Sequence, residues 1–201
     1  MSTSIAGAFT KNKSDELYTP KILVECLKPY FYGWLNRMCG KEVTIWCPFD
    51  TQESEFVHFF SDIGYKVIYS HIDNGQDFLG VKSDKPEECV APYVPNEPYD
   101  IIISNPPFSR KLDVFKRCNE LDKPWVMLSN IMCLNYMEIG NYFANNPVQL
   151  LIPDKRVSFD GNPSSFCSGY FCKDFLYKDL EFCHVANCNS GKDFIPSRMY
   201  K

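Results

Sequence analysis

Residues 99–108, Tyr-Asp-Ile-Ile-Ile-Ser-Asn-Pro-Pro-Phe, constrain this chain more than any other stretch. The β-branched run Ile101, Ile102 and Ile103 is apolar on both faces, the pattern of a strand buried between two layers, and predicts a parallel strand inside an α/β sheet. Two prolines follow almost at once. Proline has no N–H to give a ladder, so the strand must stop at Asn105, Pro106 and Pro107. In open α/β sheets the carboxyl ends of strands border the ligand crevice, which places Asn105-Pro106-Pro107-Phe108 at a cleft. These residues carry what one chemistry needs. An aromatic amine is a poor nucleophile because its lone pair is delocalised into the ring. Two acceptors gripping its two N–H groups push the nitrogen towards a tetrahedral shape and aim the lone pair. The side-chain carbonyl of Asn105 and the backbone carbonyl of Pro106 can be those acceptors, held by the rigid Pro-Pro turn, with Phe108 stacked on the ring. The plainer reading is a strand that ends at a Pro-Pro turn.

The rest of the composition bounds what such a strand can belong to. A chain of 201 residues with 45% hydrophobic and 15% aromatic residues has the size and apolar content of one globular domain. No apolar run approaches the ~20 residues of a membrane span, and the N-terminus lacks the order of a signal peptide. A cytoplasmic protein with no membrane partner is the expectation. The ten cysteines are scattered in apolar settings and read as reduced. A net charge of −4 does not announce a nucleic-acid binder. Near the motif, however, stand Arg110, Lys111, Lys116 and Arg117, with Lys155 and Arg156 further on.

Taken in order, residues 1–14 are small and polar, an expected flexible N-terminus before a domain spanning 15–188, and residues 189–201 form a polar tail. Thr19 is a candidate N-cap with Pro20 as first helical residue. Leu23, Leu27, Phe31, Trp34 and Met38 then recur at helical spacing, with Pro29 expected to kink or split the helix. Residues 43–47 predict the first strand, running into Pro48-Phe49-Asp50. Asp50 and Glu53 read as a capping box for a helix bearing Phe56, Phe59, Phe60 and Ile63. Residues 65–71 predict a second strand, and 80–98, with four prolines and no periodicity, a long loop. After Phe108, Ser109 can cap a helix carrying Leu112, Phe115, Cys118 and Leu121. Residues 123–129 and 147–153 predict further strands around a helix at 136–145, and 169–176 with 180–185 a closing antiparallel pair. Cys167, Cys172, Cys183 and Cys188 are spaced too loosely for a structural zinc site, and two fall within strand-like runs, so no metal is expected.

Asn-Pro-Pro-Phe after a hydrophobic strand resembles the motif of amino-methyltransferases that use S-adenosylmethionine, especially those acting on the exocyclic amine of adenine. From Asp15 onward the chain looks like the small adenine-specific DNA methyltransferases of phages and prophages. The resemblance implies a Rossmann-like class I methyltransferase fold, α/β and doubly wound, with a mostly parallel sheet and an antiparallel C-terminal strand pair. It implies a catalytic set of Asn105, Pro106, Pro107 and Phe108. For the cofactor it implies Tyr18, Thr19 and Pro20 at the methionine end, Pro48, Phe49 and Asp50 at the first turn, Asn105 beside them, and Asp77 with Phe78 around the cofactor's adenine. Related enzymes have a glycine-rich turn where this chain has Pro48-Phe49-Asp50-Thr51-Gln52-Glu53; here Asp50 is carried over as a partner for the cofactor's α-amino group.

The function so implied is methyl transfer to adenine in DNA, with the base flipped out if it lies in a duplex. So short a chain leaves little room for a target-recognition domain. Target choice would fall to the 80–98 loop, a homodimer or a partner protein. The rival readings are an acceptor amine in RNA adenine or a protein glutamine, and a methyltransferase-like domain without activity that binds or inhibits.

Overall fold

The computed structural model describes residues 19–159 and 167–185. Tyr18, Cys188, most of the 160–167 loop and the terminal segments 1–14 and 189–201 lie outside the described residues. The described chain builds one mixed sheet from β1 (Thr44–Cys47), β2 (Lys66–Tyr69), β3 (Ile101–Ser104), β4 (Trp125–Asn130), β5 (Gln149–Pro153), β6 (Ser168–Lys173) and β7 (Leu180–Cys183), in the order β2-β1-β3-β4-β6-β5-β7. β1 runs parallel to β2 and β3, and β3 parallel to β4. The architecture is Rossmann-like α/β.

The triple isoleucine explains why β3 sits inside the sheet, between β1 and β4. Ile101 and Ile103 join Ile45, Val126, Leu128 and Tyr170 in a core facing α1 (Lys21–Glu25), α2 (Lys28–Arg37) and α3 (Glu55–Asp62). Ile102 points the other way, into Trp46, Trp125, Met127 and Phe171 beneath α4 (Lys111–Glu120) and α5 (Met137–Asn145). All three isoleucines are fully buried, each worth roughly 1.5–3 kcal/mol. Successive side chains alternate between faces, so a run apolar at every position is satisfied only with a helical layer on each side.

The C-terminal strands depart from the expected hairpin. β6 and β7 are not neighbours: β6 lies antiparallel between β4 and β5, and β7 pairs parallel with β5 at the edge. A glycine permits this insertion. A Cβ on Gly169 would sit 2.5 Å from the Ile131 methyl, so a larger residue would push β6 off the end of β4. Beyond it, the Tyr170 hydroxyl donates to the Leu23 carbonyl at 2.6 Å and ties β6 to α1.

Three helix starts also shift. Pro20, not Thr19, is the N-cap of α1; Ser54, not Asp50, caps α3; Arg110, not Ser109, precedes α4. Pro29 does divide the first helical stretch, falling in the first turn of α2 after Leu27, where its missing N–H costs nothing. Over β1, on the α4 side of the sheet, an aromatic layer takes the place of a helix: Phe78, Tyr93 and Tyr99 lie 5.3, 6.4 and 4.9 Å from the Trp46 ring. The segment after Phe78 loops out and returns through a Val81–Val90 bridge and a short turn at Pro86–Glu88. It is anchored where the Tyr93 N–H donates to the Asp77 carbonyl at 2.8 Å.

Candidate active site

β1 and β3 are adjacent, but α3, which follows β1, covers one face of the sheet and α4, which follows β3, covers the other. The chain therefore parts at their carboxyl ends and leaves a crevice. A cavity of about 470 Å³ occupies this place, within the usual range of small-molecule sites, roughly 300–1,000 Å³. Its walls bring together Thr19, the turn of Pro48, Phe49 and Asp50, the pair Asp77 and Phe78, and the whole of Asn105, Pro106, Pro107 and Phe108. These four segments come from well-separated parts of the sequence. Pro20 is not among the lining residues; it stands behind Thr19 as the cap of α1.

Asp50 is the most unusual group in the wall. Its carboxylate is 5% exposed and accepts from the Ser104 hydroxyl. Burial pushes its pKa up to about 6, against the opposing pull of the Ser104 and Ser54 hydroxyls and of His71. A buried carboxylate on an open cavity suits a cationic ligand group. The glycine-free turn that presents it is built without glycine-like geometry, since no residue of 48–54 adopts a left-handed φ. It is held instead by side chain and sheet: the Phe49 N–H donates to Ser104 Oγ at 3.3 Å and the Asp50 N–H to the Ser70 carbonyl at 3.2 Å.

Asp77 receives the Leu79 N–H on Oδ1 at 2.9 Å, which fixes its side chain at the wall. Phe78 is 1% exposed and wedged between Trp46 and Phe49. Less of its ring is open to a ligand than the family resemblance implies, and the half-buried Phe49 ring beside it is the larger apolar surface. Pro106 is buried, while Asn105 and Phe108 are half-exposed at the mouth. Lys111, the first residue of α4, donates its Nζ to the Phe108 carbonyl at 2.8 Å and lies 5.1 Å from that ring's centre.

The wall also contains residues that the sequence reading did not assign. Ser54 caps α3, and His71, 5% exposed, caps the turn at Ile72–Asn74 by accepting the Asp73 N–H; behind the wall, fully buried, Ser104 closes β3. Ser104 had a legible signal, because a polar side chain ending a fully apolar strand needs a partner. Of the cations near the motif, Arg110 pairs with Asp113 at 3.1 Å and Arg117 with Glu120 at 3.4 Å, Lys111 is bonded to the Phe108 carbonyl, and Lys116 stands exposed on α4. Cys172 and Cys183 are buried in β6 and β7, and among the described residues no group of three or more His, Cys, Asp or Glu could hold a metal ion. Nor, among them, is any helix long and apolar enough to cross a membrane.

The chain matches no protein-family model and no curated protein.

Proposed function

We propose that this protein is an S-adenosylmethionine-dependent methyltransferase acting on the exocyclic amine of adenine, with DNA as the favoured acceptor. The observation that carries the reading is the meeting of Asn105-Pro106-Pro107-Phe108 with Asp50, Asp77 and Thr19 around one cavity at the switch point of the sheet.

The residues fit such a cofactor. The buried Asp50 carboxylate suits its ammonium group, Asp77 suits hydrogen-bond donors of its nucleoside, and Phe49 gives its adenine an apolar surface. When bound, S-adenosylmethionine supplies an electrophilic methyl on a sulfonium. The protein's part is orientation. The Asn105 side-chain carbonyl and the Pro106 backbone carbonyl accept from the two N–H groups of the target amine, pyramidalise it, and turn its lone pair towards the methyl carbon. Their grip strengthens as the nitrogen gains positive charge, so it stabilises the transition state more than the ground state. Phe108 stacks on the target ring. No side chain has to remove the proton first, because the alkylated amine is acidic enough to lose it to water afterwards.

With Arg110 and Arg117 paired to carboxylates and a net charge of −4, the chain has little to grip a phosphate backbone. Strong binding to duplex DNA is then the work of a second copy or a partner. The test is incubation with methyl-labelled cofactor and DNA, RNA or protein in parallel, repeated with Asn105→Ala. Label should enter adenine in DNA, and the variant should lose two or more decades of rate, the order expected for one preorganised hydrogen-bonding group. Label in RNA or in glutamine would reassign the acceptor. Undiminished turnover in the variant would remove this stretch from the mechanism.

A further inference from the structure

Ser104 is the last residue of β3 and has no exposed surface. Its hydroxyl donates to Asp50 Oδ2 and accepts from the Phe49 N–H at 3.3 Å. One side chain of β3 therefore holds both the backbone and the carboxylate of the turn that follows the neighbouring strand. It also immediately precedes Asn105, so the two walls of the crevice are joined through it.

We infer that Ser104 is the positioning residue of this site, its hydroxyl keeping the Asp50 carboxylate ionised and set at the cavity wall to receive the ligand's cationic group. The identity of that group as the ammonium of S-adenosylmethionine rests on the proposed function; the coupling of Ser104 to Asp50 does not. A hydrogen bond donated to a carboxylate favours its charged form. Removing the hydroxyl leaves Asp50 buried with less to offset its desolvation, so the carboxyl must hold its proton to higher pH. The other ionisable groups around it are Cys47 on β1, His71 after β2 and Glu55 at the start of α3, with Asp77 and Arg110 further along the cavity wall. Of these, His71 favours the carboxylate, and it is present equally in wild type and variant.

The experiment compares wild type with Ser104→Ala, titrating S-adenosylmethionine across pH and following the Asp50 carboxyl by carbon NMR in the free protein. In wild type the affinity should weaken as pH falls through about 6, where Asp50 protonates. In Ser104→Ala both midpoints should move up by roughly one pH unit. Relative to wild type at the same pH, the variant should then bind about twofold more weakly at pH 7 and about fivefold more weakly at pH 6, yet nearly normally above about pH 8, where Asp50 is ionised in both. A hydroxyl that served only packing would weaken binding equally at every pH, and that result, or an unmoved Asp50 midpoint, overturns the inference. If wild type binds no cofactor at all, the proposed function fails, and the NMR midpoint in the free protein still decides the role of Ser104. Ser104→Cys, a similar-sized side chain with a weaker donor, should give an intermediate midpoint and serves if the alanine variant does not fold.

Discussion

The Lys111 ammonium lies against Phe108 in two ways at once, bonded to its carbonyl at 2.8 Å and 5.1 Å from its ring centre. The contact occupies one face of the aromatic ring and fixes the backbone that ends the Pro-Pro turn. The same charge reaches Cys133 in the turn after β4, where it opposes the rise in thiol pKa caused by burial.

Lys111→Met removes the donor and the cation while keeping the stem. A cation–π contact and one hydrogen bond are together worth roughly 1–2 kcal/mol at a partly exposed site. The expected outcome is about a tenfold loss in kcat/KM for the adenine substrate with cofactor affinity unchanged. Steady-state kinetics beside a cofactor titration checks this; equal damage to cofactor binding would show that Lys111 supports the fold of the crevice and not the acceptor end.

Asp50 gives a pH signature in stability with an uncommon sign. Its folded-state pKa, about 6, is raised above the ordinary 3.8, so the folded protein holds this proton more tightly than the unfolded chain. The group's destabilisation is absent below the unfolded value, grows between about 4 and 6, and is complete above. The difference of about two pH units corresponds to on the order of 3 kcal/mol. Denaturant melts of wild type and Asp50→Asn should therefore diverge as pH rises through this window, the wild type losing ground. Parallel stability curves across it would refute the assignment.

Two glycines with left-handed φ should behave differently on replacement by alanine. Gly40, at φ +76, has nothing within 4 Å of the added Cβ, so only backbone strain, about 1–2 kcal/mol, is incurred. Gly80, at φ +65, would place its Cβ 2.3 Å from the Val90 carbonyl oxygen. The added overpacking costs about 1–3 kcal/mol more and prises open the base of the 80–98 loop. Thermal melts should rank Gly80→Ala clearly below Gly40→Ala. Equal melting temperatures would mean the loop is not pinned at Gly80.

The cysteines should divide by exposure. Cys26 and Cys183 lie with sulfurs 3.4 Å apart, but they are 7% and 2% exposed, and the Cys26 thiol pKa is pushed far up, first by its contact with Cys183 and then by burial. A thiol that does not ionise is a poor nucleophile. Among the described cysteines, thiol-reactive reagent on the folded protein should label the exposed Cys39 and Cys89 first and reach Cys26 and Cys183 only on unfolding. Rapid labelling of Cys183 would contradict the packing of β7.

Much of the framework was legible because it depends on local chemistry. Three consecutive β-branched apolar residues followed by two prolines can hardly be anything but a buried strand end, and Pro29 can hardly continue a helix. Those constraints act within a few residues of where they are written. Exact helix starts were less legible: Asp50 with Glu53 had the residue types of a capping box, yet the cap passed to Ser54. A buried partner, Ser104, from a strand 54 residues away claimed the Asp50 side chain instead.

By itself, the sequence determined that a hydrophobic strand ends in Asn-Pro-Pro-Phe, that helices must cover both of its faces, and that Asp50 follows a strand and Thr19 precedes a helix. Strand periodicity and proline stereochemistry are enough for that. Only the tertiary structure decided that these ends share one cavity, that Ser104 joins its two walls, that an aromatic layer replaces a helix over Trp46, and that β6 inserts between β4 and β5. Each of those outcomes depends on contacts between residues far apart in the chain, such as Gly169 beneath Ile131 or Tyr170 against Leu23. Such contacts are selected by how the whole core closes, which no local pattern encodes.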